Sequence, residues 1–273
     1  MLSAFVFGVF GLIVGSFLNV FIIRHGVRSV GGRSACMACG RQLLWYDMVP
    51  VASWLVLRGK CRACKTRISI QYPLVEAATG VLFAFLGAAP LPLPSQVLGC
   101  AIAALLIAIA VYDLRHTIIP DAWAYTFALL AFVSQFLVPL PAYLPWLSIL
   151  CAGPLAALPL FCFWLFSRGR WMGLGDAKLA LGIGWLLGPV LGIFAVFFAF
   201  VIGAVVSVGI LLPLPYIVRA LHACGITSLD KRGGGFTMKS EIPFGPFLIL
   251  SCIIQWLLHL NGIDVIQAFG LSL

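Results

Sequence analysis

The stretch "YDLRHTIIPDAWAY" (residues 112–125) carries Asp113, Arg115, His116 and Asp121 between two apolar runs, 97–111 and 122–138. The whole chain is 63% hydrophobic and 9% charged, with mean hydropathy +1.13. Soluble domains carry about 25% charged residues, so composition places these runs in lipid and makes the 112–125 stretch a polar break between two membrane spans.

Working outward, apolar segments at 3–23, 73–91, 97–114, 121–139, 146–166, 177–188, 190–212 and 244–262 predict about eight transmembrane helices, an all-α polytopic membrane protein. The sixth is short and contains Gly182 and Gly184, which leaves a re-entrant piece open. The net charge of +9 is a matter of topology rather than of nucleic-acid binding. Nine of the 17 Lys and Arg lie between Arg24 and Arg67, and none lies in 88–98, 139–146, 187–192 or 262–273. By the positive-inside rule both termini lie outside and the basic loops are cytoplasmic. Residues 1–23 lack a basic start and precede the basic cluster, so they read as a first span rather than a cleaved signal peptide. Gly11, Gly15 and Asn19 share one face of that span; helix packing or a direct role at the site both suit Asn19.

Residues 24–72 form a cytoplasmic lobe between the first two spans. Within it, "CMAC" (Cys36, Cys39) and "CRAC" (Cys61, Cys64) are separated by 21 residues. Two CxxC knuckles suit one structural zinc ion; a redox pair or disulfides is the rival reading, disfavoured in the cytoplasm. The surrounding basic residues suit thiolates and anionic lipid headgroups alike.

Most of the eight acidic residues have plain explanations. Asp264 is in the outer tail, Asp230 and Glu241 are in or beside a loop, and Asp47 is in the lobe. Asp121 and Glu76 suit the first turns of their helices. Asp113 and Asp176 are different: both fall at one membrane face, Asp113 after fifteen uncharged residues and Asp176 in "GLGDAKLALG" (173–182). Gly173 and Gly175 let another backbone approach Asp176. Paired carboxylates share one proton and can activate water against a peptide carbonyl. Ion-coupled transport uses such carboxylates too, and helix capping explains each alone.

At these residues the chain resembles the type IV prepilin peptidases, GxGD-type membrane aspartic proteases. The resemblance runs through "GSFLNVFIIR" (15–24), the two CxxC pairs, "SWLVLRGKCRAC" (53–64), "QYPLVE" (71–76), "DLRHTIIPD" (113–121), "GLGDAKL" (173–179) and "IPFGPFL" (242–248). It implies a catalytic dyad of Asp113 and Asp176 with no metal at the peptidase site. It implies a peptidase bundle over 73–273, inner-membrane placement, and cleavage at the cytoplasmic face. The implied substrates are type IV prepilins or type II secretion pseudopilins, with a short basic leader before an apolar helix. It further implies N-methylation of the new N-terminus by S-adenosylmethionine, associated with the cysteine lobe. Lys178 and Arg115 are expected to tune the dyad or hold lipid phosphates, headgroups being favoured.

Overall fold

The computed structural model describes residues 1–26, 29, 31–137, 146–211 and 243–263. Nine α-helices are present among them: α1 Leu2–Arg24, α2 Ala52–Val56, α3 Gln71–Ala88, α4 Leu93–His116, α5 Asp121–Ser134, α6 Trp146–Ser167, α7 Leu174–Leu187, α8 Pro189–Val206 and α9 Gly245–Leu260. A π-helical turn, Ser207–Leu211, continues α8. The described residues contain no strand, only two isolated bridges in the cysteine lobe. The readings placed on Asp230, Glu241 and Asp264 lie outside the described residues.

Each expected span coincides with a helix, but lengths vary. Four are long and apolar enough to cross a membrane: α1, α4, α6 and α8 with its extension to Gly209. The sixth segment is one continuous helix, α7, of 14 residues. That is roughly 21 Å of helix, short of a ~30 Å hydrocarbon core. α7 tolerates this because it packs against α5, α6, α8 and α9 rather than against lipid. Its Leu179, Ala180, Gly182, Ile183 and Gly184 are buried. It begins at Leu174, not 177, and this brings Asp176 into the first helical turn.

The first span packs antiparallel on α3 at very close range. A Cβ on Gly15 would lie 2.7 Å from Glu76 Cα, and one on Gly11 would lie 2.7 Å from the Thr79 carbonyl oxygen. Lipid offers apolar side chains no gain from leaving water, so close backbone packing holds such helices together. Asn19 sits at the end of this seam, fully buried. Its amide donates to the Tyr72 carbonyl at 3.1 Å and accepts from Gln71 Nε2 at 3.4 Å. Gln71 Oε1 in turn accepts from Arg115 Nε at 2.6 Å, tying α1 and α3 to the end of α4. Arg115 is thus tied to Gln71 through its Nε.

The seam also anchors the lobe. Pro50, Val51 and Ala52 form a tight turn, with Ala52 N–H donating to the Pro50 carbonyl at 2.5 Å. Val51 adopts φ 58°, ψ −50°, a strained γ-turn conformation for a β-branched residue. The turn aims the Val51 N–H at Glu76 Oε2, 2.7 Å away. Glu76 is therefore the lobe's tether; as the sixth residue of α3 it lies in the second turn, not in the first turn expected from the sequence.

Gly15→Leu is expected to force α1 away from α3 and to destabilise the folded state by roughly 1–3 kcal/mol, as overpacking does. Thermal unfolding in detergent checks this; an unchanged midpoint would contradict the seam's role.

Candidate active site

Asp113 lies in the last turn of α4, where the helix dipole disfavours an acid. It is nevertheless 4% exposed. Its support comes from another element: the first N–H of α9, on Gly245, faces the carboxylate. A Cβ on Gly245 would lie 2.5 Å from Asp113 Oδ2, so only glycine lets the α9 N-terminus come this near. Oδ2 is buried without a hydrogen-bond partner among the described residues.

Asp176 is half-buried at the third position of α7, whose N-cap is Gly173. The Gly173 N–H faces its carboxylate, as a third-position acid in a capping box does. The end of α4 that bears Asp113 and the start of α7 that bears Asp176 lie at the same end of the bundle. Ile119, 8% exposed, wedges between the three elements. A Cβ on Gly175 would meet Ile119 Cβ at 3.1 Å, and one on Gly245 would meet Ile119 Cδ1 at 3.2 Å. The loop bearing Ile119 starts at Thr117, left-handed at φ 54°, whose N–H donates to the Asp113 carbonyl at 2.7 Å. Two helix N-termini and one helix C-terminus thus converge on a pair of acids.

The other expected site residues are placed differently. Lys178 Nζ pairs with Asp121 Oδ1 at 2.7 Å and lies 5.3 Å from the centre of the Tyr125 ring. It fastens α7 to α5. Asn19 belongs to the seam with Gln71 and Tyr72. Gly245 and Ile119 were not singled out from the sequence. The signal was present in "IPFGPFL" and "DLRHTIIPD", but neither motif says which of its residues meets an acid.

Cys36, Cys39, Cys61 and Cys64 converge, with their four sulfurs within 4.8 Å of one another. Cys36 and Cys64 Sγ are 3.8 Å apart, matching the ~3.8 Å edge of a tetrahedron of thiolates bound at about 2.3 Å. The cluster can therefore hold a metal ion. The two knuckles repeat one geometry. Cys36 N–H donates to the Arg41 carbonyl and Cys61 N–H to the Thr66 carbonyl, both at 2.9 Å. Four residues after each leading cysteine the chain turns left-handed, at Gly40 (φ 71°) and Lys65 (φ 60°). Thr66, hydrogen-bonded to the Cys64 sulfur at 3.2 Å, lowers that thiol from 9.0 to about 6. The Arg41 N–H favours the Cys39 thiolate, but the Cys36 and Cys64 sulfurs push that thiol up to about 11. Such crowding of sulfurs is relieved by a bound cation.

Two family models match the chain: the bacterial peptidase A24 N-terminal domain over residues 9–89, and the type IV leader peptidase family over 100–208. The first contains all four lobe cysteines, and the second contains Asp113 and Asp176. Among similar curated proteins is the prepilin leader peptidase/N-methyltransferase of Myxococcus xanthus, 35% identical over 78% of this chain. This chain spans 64% of that protein's length. The protein of the same name from Dichelobacter nodosus is 30% identical over 98% of this chain and 95% of its own length. That from Pseudomonas putida is 30% identical over 97% and 92%. No solved structure matches the chain.

Lys65→Gly is expected to relieve the left-handed residue in the second knuckle. Removing a penalty of about 1 kcal/mol corresponds to roughly fivefold tighter metal retention. Competition with a graded chelator measures it; weaker retention would contradict the knuckle geometry.

Proposed function

Since the chain belongs to the type IV leader peptidase family, we propose that it is a membrane aspartic endopeptidase that removes the leader from prepilins or pseudopilins at the cytoplasmic face. The observation that carries this reading is the meeting of Asp113 and Asp176 at one end of the bundle, clamped by Gly245 and Ile119. In the proposed orientation all eight long helices cross the inner membrane, both termini lie outside, and residues 73–273 form the peptidase bundle. Residues 1–23 and the 24–72 lobe complete the chain.

The chemistry follows from two acids sharing one proton. The ionised carboxylate takes a proton from water as that water attacks the scissile carbonyl. The neutral carboxylic acid donates to the carbonyl oxygen, so charge on the tetrahedral intermediate stays small. As the C–N bond breaks, the departing amine takes a proton from the dyad and a hydroxyl of the gem-diol returns one to it, so the product carboxylic acid is released and the dyad regains its single proton. A helical peptide hides its carbonyl, so the substrate unwinds at the cleavage point; Gly173 and Gly175 leave room for its extended backbone beside Asp176. This chemistry requires no metal at the dyad. An ion-coupled transporter, the rival reading, calls for carboxylates near the bilayer midplane, whereas both acids sit at helix ends on one face.

The second activity, N-methylation of the new N-terminus, fits the family and the names of its curated relatives, with S-adenosylmethionine as donor. The lobe's acids do not form a ready site for that donor. Asp47 Oδ1 is bound to Arg62 Nε at 2.9 Å, and Glu76 is bound to Val51 N–H. The metal proposed for Cys36, Cys39, Cys61 and Cys64 is zinc in a structural role, which lets a small lobe fold.

Asp113→Asn and Asp176→Asn are each expected to insert normally and to lower precursor cleavage by about 10²- to 10⁴-fold or more, read as the mass shift of the pilin. Full cleavage by either variant would remove that residue from the dyad. Gly245→Val, which pushes Asp113 aside, is expected to lower kcat far more than it raises KM. Metal analysis of the purified protein should give one zinc per chain, and Cys36→Ser should lose most of it; undiminished zinc in that variant would refute the four-thiolate site.

A further inference from the structure

The lobe carries a feature that neither peptide cleavage nor metal binding uses. Residues 45–57, "WYDMVPVASWLVL", hold one charged residue in thirteen positions. That group, Asp47, is neutralised by Arg62, and its side chain is only 6% exposed. Yet the apolar side chains of the stretch are not buried against protein. Trp45 is 76% exposed, Leu55 61% and Val56 78%.

The depth of this stretch is set by Glu76. Glu76 belongs to the second turn of α3 and packs across from Gly15 of α1, with the Ser16 side chain hydrogen-bonded to it. Helical side chains lean toward their own N-terminus, so its carboxylate lies level with the first two turns of α3. Those turns also mark the level of Asn19, Gln71 and Arg115. The Val51 N–H bond to Glu76 therefore pins the centre of the stretch at the membrane boundary, not out in the cytoplasm. Left-handed turns at Val51 (φ 58°) and Arg58 (φ 52°) bracket α2, which presents Leu55 and Val56. Immediately beyond it come exposed Arg58, Lys60 and Arg67. Across residues 24–72 there are nine Lys and Arg against one acid.

We propose that residues 45–57 are an interfacial anchor inserted into the cytoplasmic leaflet, with Trp45, Leu55 and Val56 among lipid acyl chains and Arg58, Lys60 and Arg67 in a layer of anionic headgroups. Trp suits the boundary, being apolar in body with one polar N–H. Basic side chains beside it gain from the negative surface of that leaflet. The Glu76 carboxylate satisfies the one backbone N–H that the tight turn directs inward, as irregular backbone near hydrocarbon requires. The anchor holds the metal-binding knuckles against the membrane surface, beside the end of the bundle where Asp113 and Asp176 lie.

The test uses the full chain in nanodiscs of phosphatidylethanolamine and phosphatidylglycerol, doped with a lipid bearing a diazirine on its acyl chain. After photolysis, labelled peptides are mapped by mass spectrometry. Labelling is expected on residues 45–57 and on the outward face of α1 at Phe10 and Phe17, which serve as the internal control at 57% and 55% exposure. Labelling of α1 with none on 45–57 would overturn the proposal, as would cross-linking of 45–57 to a second copy of the chain in place of lipid. The double variant Leu55→Asp, Val56→Asp should lose the label on this stretch while keeping that on α1 and its metal content. Retained labelling would show that these side chains do not insert. Replacing the lipids by phosphatidylcholine should cut labelling of 45–57 at least threefold with α1 unchanged; equal labelling would overturn the anionic headgroup layer.

Discussion

An ionised carboxylate in hydrocarbon is costly, and this chain places two at the edge of it. Among the described residues, the arrangement around Asp113 and Asp176 answers that cost with backbone. Asp176 takes the third position of α7 and faces the Gly173 N–H. Asp113 sits at the unfavourable end of α4 and is met by the N-terminus of α9 through Gly245. Partial positive charge from two helix starts holds the acids without consuming them in ion pairs. The available cations are directed elsewhere, Lys178 to Asp121 and Arg115 to Gln71. A salt bridge at either Asp would have quenched the shared proton on which the proposed chemistry depends.

The same economy explains the shape of the bundle. α7 can be only 14 residues long because its neighbours supply its surroundings and its first turn must begin where α4 ends. Ile119 fills the gap between α4, α7 and α9, so the loop after α4 is a packing element as much as a connection. At the other side of the bundle, the α1–α3 seam converts small side chains into proximity. It then uses the polar groups at the end nearest the lobe, Asn19, Gln71 and Glu76, to reach α4 and the lobe. The "QYPLVE" segment thereby links the metal-binding lobe to the helix that bears Asp113.

Much of this was legible in the sequence because the bilayer imposes a coarse rule on it. Runs of apolar residues and the segregation of Lys and Arg pointed to an all-helical membrane protein and to where the helices of the described residues lie. CxxC spacing determined the four-cysteine cluster, and isolated acids at one membrane face determined which carboxylates to pair. These signals are local in the chain, or depend only on depth. What the tertiary structure alone decided were the partners: that Lys178 pairs with Asp121, that Glu76 tethers Val51, and that, among the described residues, Gly245 approaches Asp113. Such pairings join residues 25 to 132 positions apart across helices of similar composition. In lipid, hydrophobicity sets the depth of a helix but hardly its rotation or its neighbours, so those contacts follow from close packing and hydrogen bonding in three dimensions.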